Sequence, residues 1–176
     1  MKKICLLVGA VATVYMAHGQ QTRFYTDPND RFKEAKEYFQ KEQYSLAYPI
    51  FKELKAGTAE THTVNQPVTT QELNYYTLVC GLKQNEETAV NKAIDYVDLE
   101  KNSARSQMMA YHLGEYYFRE KKYREAANFY EQANIANLSN SDISNMKFHQ
   151  GYAYFTMQQF DRARPLFNMV RNLKDD

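Results

Sequence analysis

Three intervals of twelve residues, each from a small residue to an alanine, carry the same pattern of aromatic residues in this chain. The three intervals are Ala35 to Ala47, Gly114 to Ala126 and Gly151 to Ala163. Aromatic residues recur at fixed places around them: Tyr38, Tyr117 and Tyr154 follow the small residue by three, Tyr44, Tyr123 and Phe160 precede the alanine by three, and Phe51, Tyr130 and Phe167 follow it by four. An internal repeat of this length indicates stacked helical hairpins. The sequence therefore predicts an all-α protein.

The small residues of each interval have a physical role in such a hairpin. Gly114 lies on one predicted helix and Ala126 on the next, so the two backbones can approach closely. The rings of Tyr117, Tyr123 and Tyr130 then fill the space around that contact. A bulky residue at either small position would force the helices apart, at a cost of about 1–3 kcal/mol.

The spacing resembles that of the tetratricopeptide repeat, whose pattern is W-x2-L-G-x2-Y followed by A-x3-F. The best copy is Ala110-x2-Leu113-Gly114-x2-Tyr117 followed by Ala126-x3-Tyr130, although the tryptophan and the closing proline are missing. A degenerate copy uses Thr77 and Cys80 in its first helix, with Cys80 equivalent to Tyr117, and Ala89 and Ala93 in its second. The resemblance implies a right-handed α-solenoid of about four helical hairpins within residues 31–176, near 31–56, 71–99, 104–136 and 142–173.

Turn and cap residues give the expected helix boundaries. Gly57 is expected to end the second helix, and residues 58–70 to form a loop. The predicted helices cover 31–41, 46–55, 71–83, 86–99, 104–119, 124–136, 143–157 and 162–173, with N-caps at Asp30, Ser45, Asn85, Ser103, Ser141 or Asp142, and Asp161. Pro49 and Pro165 would then each be the fourth helical residue, where a missing N–H removes only the first intrahelical bond.

The N-terminus carries the pattern of a secretory signal peptide. Lys2 and Lys3 precede an apolar run of thirteen residues, and Ala17-His18-Gly19 is a small-x-small cleavage site. We expect cleavage after Gly19, which makes residues 1–19 a signal peptide and 20–30 an extended lead-in. The expected product is an exported bacterial protein located in the periplasm, with secretion or the cell surface as alternatives.

The charge of the exported chain argues against nucleic-acid binding. Removal of residues 1–19 takes away two lysines and no acidic residue, leaving 20 Lys and Arg against 21 Asp and Glu, a net charge of −1. A nucleic-acid binder would show a basic patch or stripe. No second apolar stretch is long enough to span a bilayer, so no integral membrane segment is expected after cleavage.

No catalytic or metal-binding pattern stands out, so we expect neither an enzyme nor a cofactor. The chain has no glycine-rich phosphate loop, no H-E-x-x-H and no C-x-x-C. His112 and His149 share a repeat position, which is compatible with a metal or pH-sensing pair. Coincidence on a partly exposed helix face is the favoured interpretation, because metal sites need more ligands. Cys80 is expected to be a buried packing residue.

The family resemblance also implies a binding surface, because the first helix of each hairpin lines the concave groove in this family. By position, the groove residues would be Phe39, Tyr111, Phe118, Arg119, Phe148, Tyr152 and Phe155, together with Phe32, Lys36, Glu115 and the poorer set Asn74, Leu78 and Gly81. The expected function is a scaffold that binds a protein or peptide in this groove. The alternatives are a glycan-binding module, an N-terminal solenoid of a longer envelope protein, or rings that simply pack between helices.

The last predicted helix ends without a polar capping helix. Phe167, Met169 and Val170 would therefore be uncovered, whereas repeat arrays need a polar outer face at their ends. We expect this chain to be the N-terminal part of a longer array. A partner or a second copy that covers this end, and hence self-association through it, is the alternative.

Overall fold

The computed structural model describes residues 28–60, 70–100, 103–134, 136 and 138–173. Within these ranges the chain forms eight α-helices and no β-strand, which confirms the all-α prediction. The helices are α1 (Pro28–Gln40), α2 (Tyr44–Glu60), α3 (Thr70–Lys83), α4 (Glu87–Leu99), α5 (Ser103–Arg119), α6 (Tyr123–Gln132), α7 (Asn140–Thr156) and α8 (Phe160–Leu173). The predicted signal peptide and all but the last three residues of the predicted lead-in lie outside the described residues.

Each helix packs against the next one along the chain. The eight helices form four hairpins, α1–α2, α3–α4, α5–α6 and α7–α8, which we number one to four. Helix α5 also packs against α3 and against α7, so the first helices of the last three hairpins lie side by side. This arrangement places the first helix of each hairpin between its own partner helix and the neighbouring hairpins.

The same tight turn joins the two helices of every hairpin. In hairpin three, the N–H of Lys121 donates to the carbonyl of Phe118 at 3.0 Å, and the N–H of Lys122 donates to that of Tyr117 at 2.9 Å. This pair of bonds is the Schellman motif, which needs one residue in the left-handed backbone conformation. That residue is never glycine here: it is Glu42, Asn85, Lys121 and Gln158 in the four hairpins, with φ of 57°, 58°, 58° and 60°.

The left-handed residues give the four hairpins a common numbering. Their separations are 43, 36 and 37 residues, whereas the predicted alignment placed Ala89 37 residues before Ala126. The second hairpin is therefore out of phase with the prediction by one residue. Four residues before the left-handed residue, the equivalent of Tyr117 is Gly81 and not Cys80. The alignment of the degenerate copy was wrong because none of its anchor residues marks the turn.

When the hairpins are aligned on their left-handed residues, hairpin two has a large residue at a position where hairpin three has a small one, and a small residue at a position where hairpin three has a large one. Where Gly114 stands in hairpin three, hairpin two has Leu78, and where Tyr117 stands it has Gly81. A Cβ added at Gly81 would lie 2.6 Å from the Cβ of Ala89, so the two helices meet there instead. Ile94 takes the place of the ring of Tyr130 and packs against the cluster that contains Leu78. The close contact between the two helices of hairpin two therefore lies about one helical turn nearer to the left-handed residue than the contact in hairpin three.

In hairpins three and four the close contact lies at the predicted glycines. A Cβ added at Gly114 would lie 2.6 Å from the ring of Tyr130, and one at Gly151 would lie 2.9 Å from the ring of Phe167. The alanines that begin or end the three intervals are all buried; they are Ala35, Ala47, Ala126 and Ala163. Tyr154 is buried as well, and Tyr38 and Tyr117 are half-buried at the rims of the same clusters.

Cys80 is fully buried in a cluster shared by hairpins one and two. Burial raises the pKa of its thiol to about 12, so the thiol stays protonated at neutral pH. This confirms the prediction of a packing residue. The same cluster holds a group of aromatic rings. Phe51 stacks on Tyr76 with 5.0 Å between the ring centroids, and Phe39 meets Tyr76 edge-on with 4.9 Å between the ring centroids.

Several predicted helix ends were wrong for a shared reason. Helix α2 continues through Gly57 to Glu60, so Gly57 does not end it and residues 58–60 are helical. Helix α7 begins earlier than predicted because Ser139 caps it: its Oγ accepts a hydrogen bond from the N–H of Asp142 at 3.1 Å. Ser141 and Asp142 lie inside the first turn. Local cap signals are frequent in polar segments, and the true cap depends on where packing starts the helix.

The turn geometry explains the other differences. Helices α2 and α8 begin two residues after the left-handed residue, before the predicted caps Ser45 and Asp161. Pro49 and Pro165 are consequently the sixth helical residue in each helix and not the fourth. The remaining three predicted N-caps lie elsewhere: Asn85 is the left-handed residue, Ser103 is the first residue of α5, and Asp30 is in the first turn of α1.

Candidate partner-binding surface

Three of the seven predicted groove residues are engaged in packing. Tyr111 is buried, with 8% of its surface exposed, in a cluster with Met146 of α7. Phe39 is half-buried among the rings shared by hairpins one and two. Arg119 donates from Nη2 to the carbonyl of Leu82 at 2.9 Å, which ties the end of α5 to the end of α3. The expectation that Tyr111 and Phe39 face a partner is therefore corrected, whereas Arg119 remains exposed.

Three other predicted residues form an exposed row on α7. Phe148, Tyr152 and Phe155 are 47%, 41% and 53% exposed. Their spacing of four and three residues puts them on one face of the helix. We call these three residues the aromatic stripe. Exposed rings in a contiguous row are uncommon on a protein surface and mark interaction sites.

A second row on α8 borders the aromatic stripe. Phe160 meets Phe155 edge-on at 5.4 Å, and Phe167 contacts Phe148 at 5.9 Å between ring centroids. Arg164 and Arg171 lie on the same face of α8, because each follows one of these rings by four residues. Both arginines are exposed, and neither has a carboxylate partner among the described residues. The stripe therefore has an apolar centre and a basic edge.

The stripe rests on a well-connected layer of aromatic side chains. Phe118 of α5, the seventh predicted groove residue, is half-buried and stacks on the His149 ring at 4.1 Å. Tyr152 meets Phe118 at 5.8 Å and Tyr123 at 5.7 Å, both edge-on. Edge-to-face ring pairs contribute about 0.5–1.5 kcal/mol each beyond burial. Tyr152 is thus held in place from one side while its other side faces solvent.

The half-buried carboxylate of Glu115 fixes the orientation of His149. The Oε1 atom of Glu115 accepts from the Tyr130 hydroxyl at 2.7 Å and lies 3.0 Å from Nδ1 of His149. Burial raises the pKa of Glu115, but the hydrogen bonds from His149 and Tyr130 outweigh it, so the pKa lies below its usual range. Glu115 is ionised at neutral pH and joins α5, α6 and α7 beneath the aromatic stripe.

The equivalent face of the earlier hairpins is covered by the next hairpin. The stripe residues lie ten, six and three residues before the left-handed residue of hairpin four. In hairpin three the first of these positions is Tyr111, which is buried under α7. In hairpin two the last two are Val79 and Leu82, both buried in a cluster with residues of α5. Among the described residues, only hairpin four leaves this face open.

The two histidines at the shared repeat position do not form a joint site. His112 is buried, and its Nε2 lies 3.3 Å from the hydroxyl of Tyr75 on α3, whereas His149 contacts Glu115 on α5. The expected partly exposed location is wrong for His112, because hairpins two and three close over it. No group of three His, Cys, Asp or Glu side chains in the described ranges is placed to hold a metal ion.

The helices in the described part of the chain are all too short or too polar to cross a membrane. No protein-family model, curated protein or solved structure matches this chain.

Proposed function

We propose that this chain is an exported scaffold that binds a protein partner through the aromatic stripe of hairpin four. The proposed architecture is a right-handed α-solenoid of the tetratricopeptide type. The observation that carries the proposal is the exposed row of Phe148, Tyr152 and Phe155 on a helix whose counterparts in the chain are covered by further helices. Aromatic residues of this kind dominate the binding energy of protein interfaces.

The solenoid proposal is supported by the repeated turn and the order of packing. Four Schellman turns with the same pair of hydrogen bonds set the same entry angle for each second helix. Packing of α5 against both α3 and α7 places equivalent helices next to one another, as in a stack of repeats. The proposed binding face is therefore a property of the repeat and is open at hairpin four.

The binding proposal predicts a selective effect of stripe substitutions. Phe148→Ala and Phe155→Ala should each weaken partner binding by about 1–2 kcal/mol, a roughly 5- to 30-fold loss of affinity. Photo-crosslinking from position 155 in the native cell envelope identifies the partner, and titration with the purified partner measures the affinity.

Leu99→Ala is the matched control, because Leu99 is 78% exposed and lies on α4 outside the stripe. It should leave the affinity unchanged, and all three variants should keep the helix content of the parent. Equal losses at positions 99 and 155 would contradict the assignment of the stripe. Binding of a polysaccharide on a glycan array, without any protein crosslink, would replace the scaffold by the glycan-binding alternative.

The export proposal predicts a change in mass. Cleavage after Gly19 should remove about 2 kDa, the size of a signal segment of this length. Intact-mass measurement of protein recovered from the envelope fraction checks this value. The variant Ala17→Phe puts a bulky ring where a small residue is required, and should therefore accumulate as the uncleaved precursor. Recovery of the parent chain with Met1 in place would contradict export.

A further inference from the structure

We infer that the partner is an amphipathic α-helix with an apolar ridge and acidic flanking residues, which lies on the aromatic stripe as α7 lies on α5. This inference rests on the proposed function and adds the chemistry of the partner. Four observations carry it: the internal helix contacts, the shape of the stripe, the charge of its edge, and the polar surface at the other end of the chain.

The contact between α5 and α7 shows what covers this face when it is buried. Met146 of α7 packs against Tyr111, the residue of α5 that is equivalent to Phe148. His149 of α7 stacks on Phe118, the residue of α5 that is equivalent to Phe155. A helix with apolar and flat side chains spaced three residues apart therefore fits the stripe. The same helix-on-helix contact occurs between α3 and α5.

The shape of the stripe suits a helix better than an extended strand. Phe148 and Phe155 are seven residues apart on α7, a distance of about 10 Å along the helix axis. Two turns of a partner helix span the same distance, so its side chains at positions i, i+3 and i+7 can pack between the rings. An extended segment repeats its side chains on one face every ~6.6 Å, which fits the step of about 6 Å from Phe148 to Tyr152 but not the step of about 4.5 Å from Tyr152 to Phe155.

The edge of the stripe selects the charge of the partner. Tyr123, Ala127, Tyr130 and Asn134 form the equivalent row of hairpin three, which contains no charged residue. On α8 the corresponding row is Phe160, Arg164, Phe167 and Arg171, with the two rings in the same places and two arginines in the others. A covering helix therefore meets two positive charges, and acidic residues on its flank would pair with them.

A second copy of this chain does not have the required surface at its first hairpin. Three positions of the repeat, which lie twelve, eight and five residues before the left-handed residue, decide this. In hairpin three they hold Met109, Leu113 and Tyr116, which are all buried. At the same three positions α1 has Asp30, Glu34 and Glu37. Head-to-tail stacking would bury these carboxylates against the stripe, and a symmetric contact between two stripes would oppose Arg164 and Arg171 with their own copies.

The probe for the experiment is a helix of the chain itself. It is a synthetic peptide of residues 140–156 whose positions 148 and 155 are joined by a hydrocarbon staple, and which carries Lys147→Glu as an acidic flank on the side of α7 that borders α6. One control peptide adds Met146→Glu, which removes the apolar ridge. Another is unstapled and carries Ala153→Pro, which prevents a helix. Fluorescence anisotropy with the purified chain measures the affinities.

We expect the stapled peptide to bind and both control peptides to bind at least about tenfold more weakly. On the chain, Phe155→Ala should weaken binding about tenfold, and Arg164→Glu with Arg171→Glu should weaken it about tenfold through two exposed charges that become repulsive. In the double arginine variant the salt dependence should reverse, because added salt then screens a repulsion and raises the affinity. Leu99→Ala should have no effect.

Four outcomes would overturn the inference. Equal binding of the proline peptide would show that the stripe takes an extended segment. Dimerisation of the chain that Phe155→Glu abolishes would identify a second copy as the occupant. Absence of stapled-peptide binding, in a chain whose native crosslinks still depend on Phe155, would leave the scaffold function in place and reject the helical partner. Loss of both the crosslinks and the peptide binding would reject the two proposals together.

Discussion

Gly114→Leu is expected to lower the free energy of unfolding by about 3 kcal/mol, the upper part of the range for an overfilled core. Even the first carbon of a side chain at this position would lie 2.6 Å from the ring of Tyr130, which is itself fully buried. The ring cannot move aside easily, because its hydroxyl donates to Glu115 at 2.7 Å. Urea unfolding monitored by circular dichroism measures the change, with the m-value as a check on two-state behaviour.

The matched control is the same substitution at Gly57. Apart from its chain neighbours and the backbone of its own helix, no atom of the described residues lies within 4 Å of a Cβ added there, and the residue is inside α2. Gly57→Leu should therefore raise the free energy of unfolding by about 0.5–1 kcal/mol, because leucine favours a helix more than glycine does. Destabilisation of similar size at both positions would mean that the close contact at Gly114 has no special weight.

Acidification is expected to destabilise the protein through His112. Burial, with the nearby charges of Lys83 and Arg119, lowers the pKa of His112 to about 3 in the folded protein. The pKa is about 6.5 in an unfolded chain, so the unfolded state binds the proton more tightly between these values and stability falls as pH falls. The loss should reach about 2 kcal/mol at pH 5 and about 3 kcal/mol at pH 4.

Chemical unfolding at pH 7, 5 and 4 tests this effect against the variant His112→Gln. Glutamine does not titrate, so the difference between the two pH profiles isolates His112 from the carboxylates and from His149. The parent should lose about 2 kcal/mol more than the variant between pH 7 and pH 5, before the carboxylates begin to protonate. Parallel profiles would show that His112 is not buried in its neutral form.

The positions of the hairpins could be predicted because their packing leaves a mark on residue size. A small residue opposite a ring is rare by chance, and its recurrence located hairpins one, three and four. The phase of hairpin two could not be predicted, because Leu78 and Gly81 carry the opposite sizes. The left-handed residues gave no sequence signal either, because none of them is glycine.

The candidate surface was only partly predictable, since burial depends on distant neighbours. Tyr111 and Phe148 occupy the same position and are both aromatic, yet only Phe148 is exposed. The difference comes from α7, which covers Tyr111 and has no equivalent over Phe148 in the described residues. Arg119 was predicted as a groove residue, and its hydrogen bond to the backbone carbonyl of Leu82 in another hairpin could not be read from the sequence. The periodicity of the sequence shows on which face of a helix a residue lies, but it does not show whether another helix covers that face.

The exchanged sizes at Leu78 and Gly81 make hairpin two a non-interchangeable module. Hairpins three and four share one form of the close contact, since glycine and ring stand in the same places in both. A single substitution that restored the shared pattern at only one of these two positions would destabilise hairpin two. Tyrosine at 81 would collide with Ala89, and glycine at 78 would leave a void beside Val90. Each of these single changes is therefore expected to destabilise hairpin two, so its version of the repeat cannot be converted into that of hairpin three one residue at a time.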